Sequence, residues 1–187
     1  MLRADVHPAV SPPRKGDAFM TVQATTSALA PAAVATRVIA YIIDAIILGL
    51  AGVIILGIII NDTTIVGNVA RTIIYAILGF LYFGYTWTAW RATPGQRILG
   101  LMTVDATSGG AMTWNQAVMR WAFLFGPSIL NNLFPVGGAL GALVSLLILA
   151  YYIYLLYTTA TDARKQGLHD KQANSLVIAK TATPAVV

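Results

Sequence analysis

The sequence predicts an all-α membrane protein, a four-helix transmembrane bundle with a small cytoplasmic β-hairpin or sheet. Three observations predict this fold. Apolar residues make up 57% of the 187 residues and charged residues only 10%, whereas about a quarter of a soluble domain is charged. Long apolar runs alternate with short polar segments. Eleven of the twelve Lys and Arg residues lie in three polar segments, the amino-terminal part, 91–120 and 162–180.

The first element is an amino-terminal segment, residues 1–36, followed by an apolar span. The segment is rich in Pro, Ala, Thr and Ser and lacks apolar periodicity, so we expect it to be disordered. Met20 is an alternative start. The membrane domain is predicted to cover 37–180. Its first span, 38–60, has 23 residues and is long enough to cross a hydrocarbon core of about 30 Å.

The second span, 69–90, ends in "GFLYFGYTWTAW", an aromatic run typical of a membrane interface. The cytoplasmic loop 91–116 follows. In it, Thr93-Pro94-Gly95-Gln96 fits a capping box with proline at the first helical position, which predicts a short interfacial helix. Thr113-Trp114-Asn115-Gln116 repeats the pattern and predicts the start of the next long helix.

Two short segments predict strands. "LMTVDATSGGAMT", residues 101–113, alternates around a Ser-Gly-Gly turn and predicts a hairpin. Ser175 to Ala179 is a short apolar run in the tail, 162–187. We expect it to pair with the hairpin and so connect the tail to the middle loop.

The third span, 117–136, is the least regular because it contains Arg120, Gly126-Pro127 and Asn131-Asn132. It either crosses the membrane or forms a short, partly interfacial helix. The fourth span, 139–161, carries no charge. Basic residues favour the cytoplasmic side, so four spans with both termini cytoplasmic place all three basic segments on one side.

Asp44 is the one charge within the first span, seven residues after Arg37. The two residues face the same way on a helix, but Asp44 lies about 10 Å deeper, too far for a direct ion pair. Arg120 is its best predicted partner. One interpretation is a buried charge pair that fixes helix register. The other is a proton or cation site, which intramembrane carboxylates commonly mark.

Other chemistry has no support in the sequence. The absence of Cys and the presence of only two His exclude disulfides and the common zinc sites. No nucleotide-binding or hydrolase motif occurs, so we expect neither an enzyme nor a cofactor or metal. The basic residues lie between spans and line no single face, which argues against nucleic-acid binding. His169-Asp170 predicts either a hydrogen-bonded turn that anchors the tail or a proton relay.

Together these motifs resemble the RDD family of bacterial membrane proteins. "RVIAYIID" carries Arg37 and Asp44, "ATPGQRILGLMTVD" carries Arg97, "MR" ends in Arg120, and "GLHDKQANSLVI" supplies His169 and Asp170. The family is named for the arginine and two aspartates that correspond here to Arg37, Asp44 and Asp170. "QANSLVI" departs from the family, which tends to have Ala-Gly-Thr before its final valines. The resemblance implies a bacterial cytoplasmic membrane location.

The resemblance also implies transport of a small ligand, or sodium–proton antiport as attributed to some members. In that hypothesis Asp44 exchanges proton and cation, Arg37 or Arg120 tunes its pKa, and Asp170 guards the cytoplasmic mouth. The alternative is a non-catalytic structural or accessory subunit of a membrane complex. Besides the lipid bilayer, we expect further copies of the chain or other subunits as partners, because four spans are few for a transporter that acts alone.

Overall fold

The computed structural model describes residues 30–59 and 64–180 and is mostly helical. Its elements in chain order are α1 (Val34–Ile59), α2 (Ile65–Ala89), α3 (Pro94–Ile98), β1 (Leu101–Asp105), α4 (Trp114–Leu133), α5 (Gly138–Thr161), α6 (Leu168–Gln172) and β2 (Ser175–Ala179).

Three helices, α1, α2 and α5, are long and apolar enough to cross a membrane. Helix α4 is not among them. Its 20 residues include a buried arginine, Arg120, and an internal proline, Pro127, which lower its apolar character. Apolar length alone therefore supports three of the four predicted spans.

The sheet has two antiparallel strands, in which Leu101 lies opposite Ala179 and Asp105 opposite Ser175. The predicted pairing of the tail with the middle loop is confirmed. The predicted hairpin over 101–113 is wrong, since only its first half is a strand. After Asp105 the chain turns, because the Asp105 carboxylate accepts hydrogen bonds from the amides of Thr107 at 3.0 Å and Ser108 at 2.7 Å.

The ordered domain begins earlier than predicted. Helix α1 starts at Val34, and just before it Pro31 forms a bridge with Ile178. The Ala32 amide donates to the Val177 carbonyl at 2.9 Å, and the Ala32 side chain is buried. Residues 31–36 were predicted to be disordered, and this is wrong because Pro31 and Ala32 pair with β2 and residues 34–36 form the start of α1. The rest of that prediction, including the alternative start at Met20, lies outside the described residues.

Both capping boxes predicted from the sequence are confirmed. The Thr93 hydroxyl accepts from the Gln96 amide while the Gln96 side chain accepts from the Thr93 amide, and α3 begins at Pro94. Thr113 and Gln116 make the same pair of contacts at the start of α4.

Three polar segments, 31–33, 90–113 and 162–180, meet at one end of the bundle, which we call the sheet end. Residues 31–33 lead into α1 there, α2 runs into α3 and β1, and α5 runs into α6 and β2. Helix α4 also starts there, because the Gln116 side chain donates to Asp105 at 2.5 Å and to the Asn174 carbonyl at 3.2 Å. The first residues of α2 and α5 therefore lie at the opposite end.

Helices α1 and α3 approach closely at Gly95. A Cβ at this position would lie 2.2 Å from the backbone oxygen of Ala40 and 2.9 Å from the carboxyl carbon of Asp44. Backbone cannot yield to such a contact without a shift of α3 away from α1. Glycine is therefore required here for steric reasons.

We predict that Gly95→Ala lowers the stability of the protein by about 1–3 kcal/mol, the usual cost of overpacking. Gly49→Ala is the matched control, since a Cβ there meets no atom within 4 Å. The measurement is the thermal unfolding of each variant in detergent, followed by tryptophan fluorescence. Equal melting temperatures for the two variants would contradict the close approach of α1 and α3.

Candidate functional site

The centre of the sheet end is a buried carboxylate, Asp170, which is 0% exposed. Arg37 donates to its Oδ2 from 2.5 Å, and Arg120 donates to its Oδ1. The Gly167 amide adds a third hydrogen bond at 3.0 Å. We refer to Asp170, Arg37 and Arg120 as the Asp170 cluster. It joins three parts of the chain that are far apart in sequence.

Each guanidinium in the cluster is fixed by further contacts. Arg37 lies in the first turn of α1 and also donates to the backbone oxygen of Lys165, which follows α5. Arg120, only 3% exposed, lies on α4 and donates to the Ser175 hydroxyl at 2.7 Å. Its guanidinium carbon stacks 5.0 Å from the centre of the Trp87 ring. The cluster therefore connects α1, α2, α4 and β2.

The electrostatics of the cluster fix its protonation. Burial alone would raise the pKa of Asp170, but the Arg120 and Arg37 guanidiniums hold that pKa below its ordinary value, so the carboxylate stays ionised. Burial lowers the pKa of His169 to about 3, although Asp170 acts in the opposite direction. His169 is therefore neutral at physiological pH. This favours the anchoring turn over the proton relay that the sequence also allowed.

Asp44 is also buried, at 2% exposure, but it belongs to a different set of contacts. Its carboxylate accepts from the Tyr82 hydroxyl at 2.7 Å, the Thr93 hydroxyl at 2.5 Å and the Gly95 amide at 2.8 Å. These donors come from α2 and from the start of α3, so Asp44 holds α3 against α1.

The predicted pairing of Asp44 with Arg120 is wrong. Within the described residues the guanidiniums of Arg120 and Arg37 form their ion pairs with Asp170, and Asp44 forms none. The physical reason is that the amino terminus of α3 offers Asp44 a free amide and a hydroxyl. The tail meanwhile brings a second carboxylate between the two arginines.

Arg97, which the sequence grouped with His169 and Asp170, lies elsewhere. Its side chain is exposed, and its guanidinium carbon sits 4.7 Å from the centre of the Trp90 ring. It makes no ion pair with the Asp170 cluster in the part of the chain that the structure describes.

A cavity of about 920 Å³ extends from the sheet end between the long helices. At the sheet end it is lined by Arg37, Asp44, Arg120 and His169. Its walls are mostly apolar, formed by side chains such as Leu48, Phe83, Leu124, Phe125 and Ile129, and its far end reaches Arg71, Thr72 and Asn132. Arg71 precedes Trp87 by 16 residues on α2, which corresponds to about 24 Å along the helix.

A second cavity, of about 510 Å³, continues from the far end. It shares Arg71, Thr72 and Asn132 with the first cavity and adds polar side chains from α2, α4 and α5, namely Asn68, Asn131 and Ser145. The cavities thus combine an apolar middle with polar ends.

Three buried polar atoms beside the Asp170 cluster have no hydrogen-bond partner among the residues that the structure describes. They are Trp87 Nε1, Arg120 Nε and His169 Nδ1, and all three residues line the cavity. A buried donor without a partner costs about 1–3 kcal/mol, so such atoms call for an explanation. No group of His, Asp or Glu side chains that could hold a metal ion occurs among the described residues.

Sequence reasoning found Arg37, Arg120, Asp44 and Asp170 but missed the partners of Asp44. The signal for those partners was present, because a capping box marks amides and hydroxyls that a nearby carboxylate can bind. Nothing in the sequence distinguishes Trp87 from the other aromatic residues near the end of α2.

We predict that Asp170→Asn destabilises the protein by about 3–5 kcal/mol, because it leaves two guanidiniums buried around a neutral group. Asp162→Asn is the control. It retains the oxygen that accepts from the Arg164 and Gln166 amides and loses only a half-exposed ion pair with Lys171, a loss of about 0–1 kcal/mol. Thermal unfolding in detergent measures both. If Asp170→Asn were as stable as Asp162→Asn, the Asp170 cluster would not hold the fold together.

Comparisons with known proteins agree with the resemblance seen in the motifs. Neither the curated proteins nor the solved structures include a match to this chain. A family model described as the RDD family matches residues 31–174, which is well over half of the chain and includes Arg37, Asp44, Arg120 and Asp170. The chain therefore belongs to the RDD family.

Proposed function

We propose that this multi-pass membrane protein transports a small ligand through the cavity between its long helices. One observation carries the proposal: the cavity of about 920 Å³ reaches from the Asp170 cluster to Arg71 and Asn132 near the other end of the bundle. Its volume is in the range of small-molecule sites, which is about 300–1,000 Å³. Polar groups at depth in a membrane domain usually face such a pathway.

The connectivity supports α4 as a fourth crossing. Helices α2 and α5 both end at the sheet end, and α5 starts at the opposite end. The chain must therefore cross the bundle between the end of α2 and the start of α5. Helix α4 begins at Trp114 beside the sheet and leads to the start of α5, so it runs from the sheet end to the opposite end. Its 20 residues give about 30 Å. The buried ion pair of Arg120 compensates the charge that makes this helix less apolar.

We further propose that the sheet end faces the cytoplasm of a bacterial cell, with both termini on that side. Of the nine basic residues in the described part of the chain, all but Arg71 lie in the segments that meet there or in the helix turns that adjoin them, as expected for cytoplasmic loops. The Asp170 cluster would then close the cytoplasmic mouth of the cavity. Opening it would require the start of α1 and the tail to move apart, since Asp170 joins them.

The alternative function is a structural or accessory subunit of a membrane complex, or a homo-oligomer that serves as a scaffold. The use of every oxygen of both carboxylates in contacts within the protein favours it. Asp44 accepts three hydrogen bonds and Asp170 is paired with two guanidiniums, contacts that a purely structural role would also require.

The test of transport uses the absence of cysteine from the chain. We predict that a cysteine at Ala76, which lines the cavity, reacts with a membrane-impermeant thiol reagent in proteoliposomes. The control is Ile77→Cys. Ile77 is the next residue on α2, is 53% exposed on the surface of the bundle and does not line the cavity, so in a bilayer it faces lipid. A lipid-facing cysteine is shielded from a polar reagent.

The outcomes separate the two functions. Faster labelling at position 76 than at 77, from either side of the membrane, supports a water-accessible pathway. Equally slow labelling at both positions contradicts the pathway and favours the accessory subunit.

A second candidate, exchange of a monovalent cation for protons, is favoured by one observation: Asp44 is a buried carboxylate on the cavity wall. We nevertheless expect no exchange, because both Asp44 oxygens already accept hydrogen bonds from protein donors. The measurement uses proteoliposomes that contain a pH-sensitive dye and receive a sodium gradient. A sodium-driven pH change in the wild type that Asp44→Asn abolishes would overturn this expectation.

A further inference from the structure

We infer that the ligand is a single-chain amphiphile whose anionic oxygen head group binds at Arg120 and Trp87, with its apolar chain along the cavity. This inference rests on the proposed function, because it names the class of ligand for the same cavity. Three observations support it: unpartnered hydrogen-bond donors line the cavity, the nearby carboxylate oxygens are already engaged, and the cavity walls are mostly apolar.

Two of the unpartnered atoms are hydrogen-bond donors. Trp87 Nε1 and Arg120 Nε are buried and have no partner within the described ranges, and both can only donate a hydrogen bond. Trp87 is 2% exposed and Arg120 is 3% exposed, so water has little access to them. The complement of two such donors is an oxygen acceptor that belongs to a ligand held against the cavity wall.

The carboxylate oxygens at the same end already accept hydrogen bonds from protein donors. The oxygens of Asp44 receive three donors, and those of Asp170 receive two guanidiniums and the Gly167 amide. The Asp170 cluster itself has two positive charges and one negative charge. A cation or a donor-rich ligand would find few free acceptors here, whereas a carboxylate or phosphate oxygen would find donors.

The middle of the cavity is mostly apolar. Its walls below the cluster include Leu48, Phe83, Leu124, Phe125 and Ile129. Such walls offer few partners for the hydroxyls of a sugar or for a free inorganic anion. They suit an apolar chain, which gains free energy from contact with them. A ligand with a polar head and an apolar chain is an amphiphile, and its source is the membrane lipid.

The experiment measures quenching of tryptophan fluorescence in maltoside detergent by a dibrominated long-chain fatty acid, at a pH where its carboxyl is ionised. Trp121 lines the cavity together with Trp87 and serves as reporter. The neutral methyl ester of the same acid tests the head group, and inorganic phosphate tests the need for the chain.

We expect saturable quenching by the acid at a concentration at least about ten-fold lower than by the ester, as for a hydrogen bond to a charged group. Phosphate should not displace the acid. Equal half-saturation by acid and ester would overturn the inference. Displacement of the acid by inorganic phosphate would also overturn the inference, because the site would then bind an anion that has no apolar chain.

A variant refines the assignment of the head-group site. Trp87→Phe retains a ring beneath Arg120 and removes the donor, so it should raise the half-saturation for the acid about ten-fold and that for the neutral ester by less. Trp90→Phe is the control, because Trp90 contacts Arg97 and does not line the cavity. An unchanged acid affinity in folded Trp87→Phe would overturn the role of Trp87, and the acid–ester comparison on the wild type stands even if this variant fails to fold.

The failure of this inference is distinguishable from the failure of the proposed function. Head-dependent quenching together with equal labelling of the cysteines at 76 and 77 would keep the ligand class and remove transport. Preferential labelling at 76 without head-dependent quenching would keep the pathway and overturn the ligand class.

Discussion

The structure depends on one constraint: a carboxylate with no exposed surface lies between two guanidiniums. Asp170 would be costly to bury alone, and so would Arg120. Each is tolerated because the other is present, together with Arg37. As the three residues come from α1, α4 and the tail, the pairing fixes where these segments meet. The strand β2 follows Asp170 by five residues, so the position of the sheet is determined by the same contact.

Asp44 applies the same constraint with different partners. Its hydrogen bonds to Tyr82, Thr93 and Gly95 attach the middle loop to α1, as Asp170 attaches the tail to α1. Both links act at the sheet end, and the contact of Gly95 with the backbone at Ala40 leaves little space there. The two family aspartates thus connect the first helix to the two polar segments that follow later in the chain.

The sequence was sufficient for features that depend on local chemistry. The capping boxes at Thr93 and Thr113 and the strand at Ser175 to Ala179 involve neighbours within a few residues or a simple apolar run. The partner of each charge was not predictable, because Arg120 and Asp170 are 50 residues apart in the chain. Depth along a helix made Arg120 a reasonable partner for Asp44, but depth does not reveal which residues the tail brings into the same space. The hairpin failed for a related reason, since Asp105 forms a local turn in place of a second strand.

The hydrogen bonds of the two aspartates also bear on what the cavity can bind. A site for a cation requires oxygen atoms that the protein leaves unused, and at the sheet end the carboxylate oxygens are occupied by the contacts that hold the fold together. Two of the three unpartnered polar atoms in the described cavity lining have the opposite polarity, the N–H groups of Trp87 and Arg120, and the third is Nδ1 of His169. If Asp44 or Asp170 left its present donors to supply a free acceptor, the link to α3 or to the tail would break. The same interactions that assemble the bundle therefore favour a ligand that brings its own acceptor.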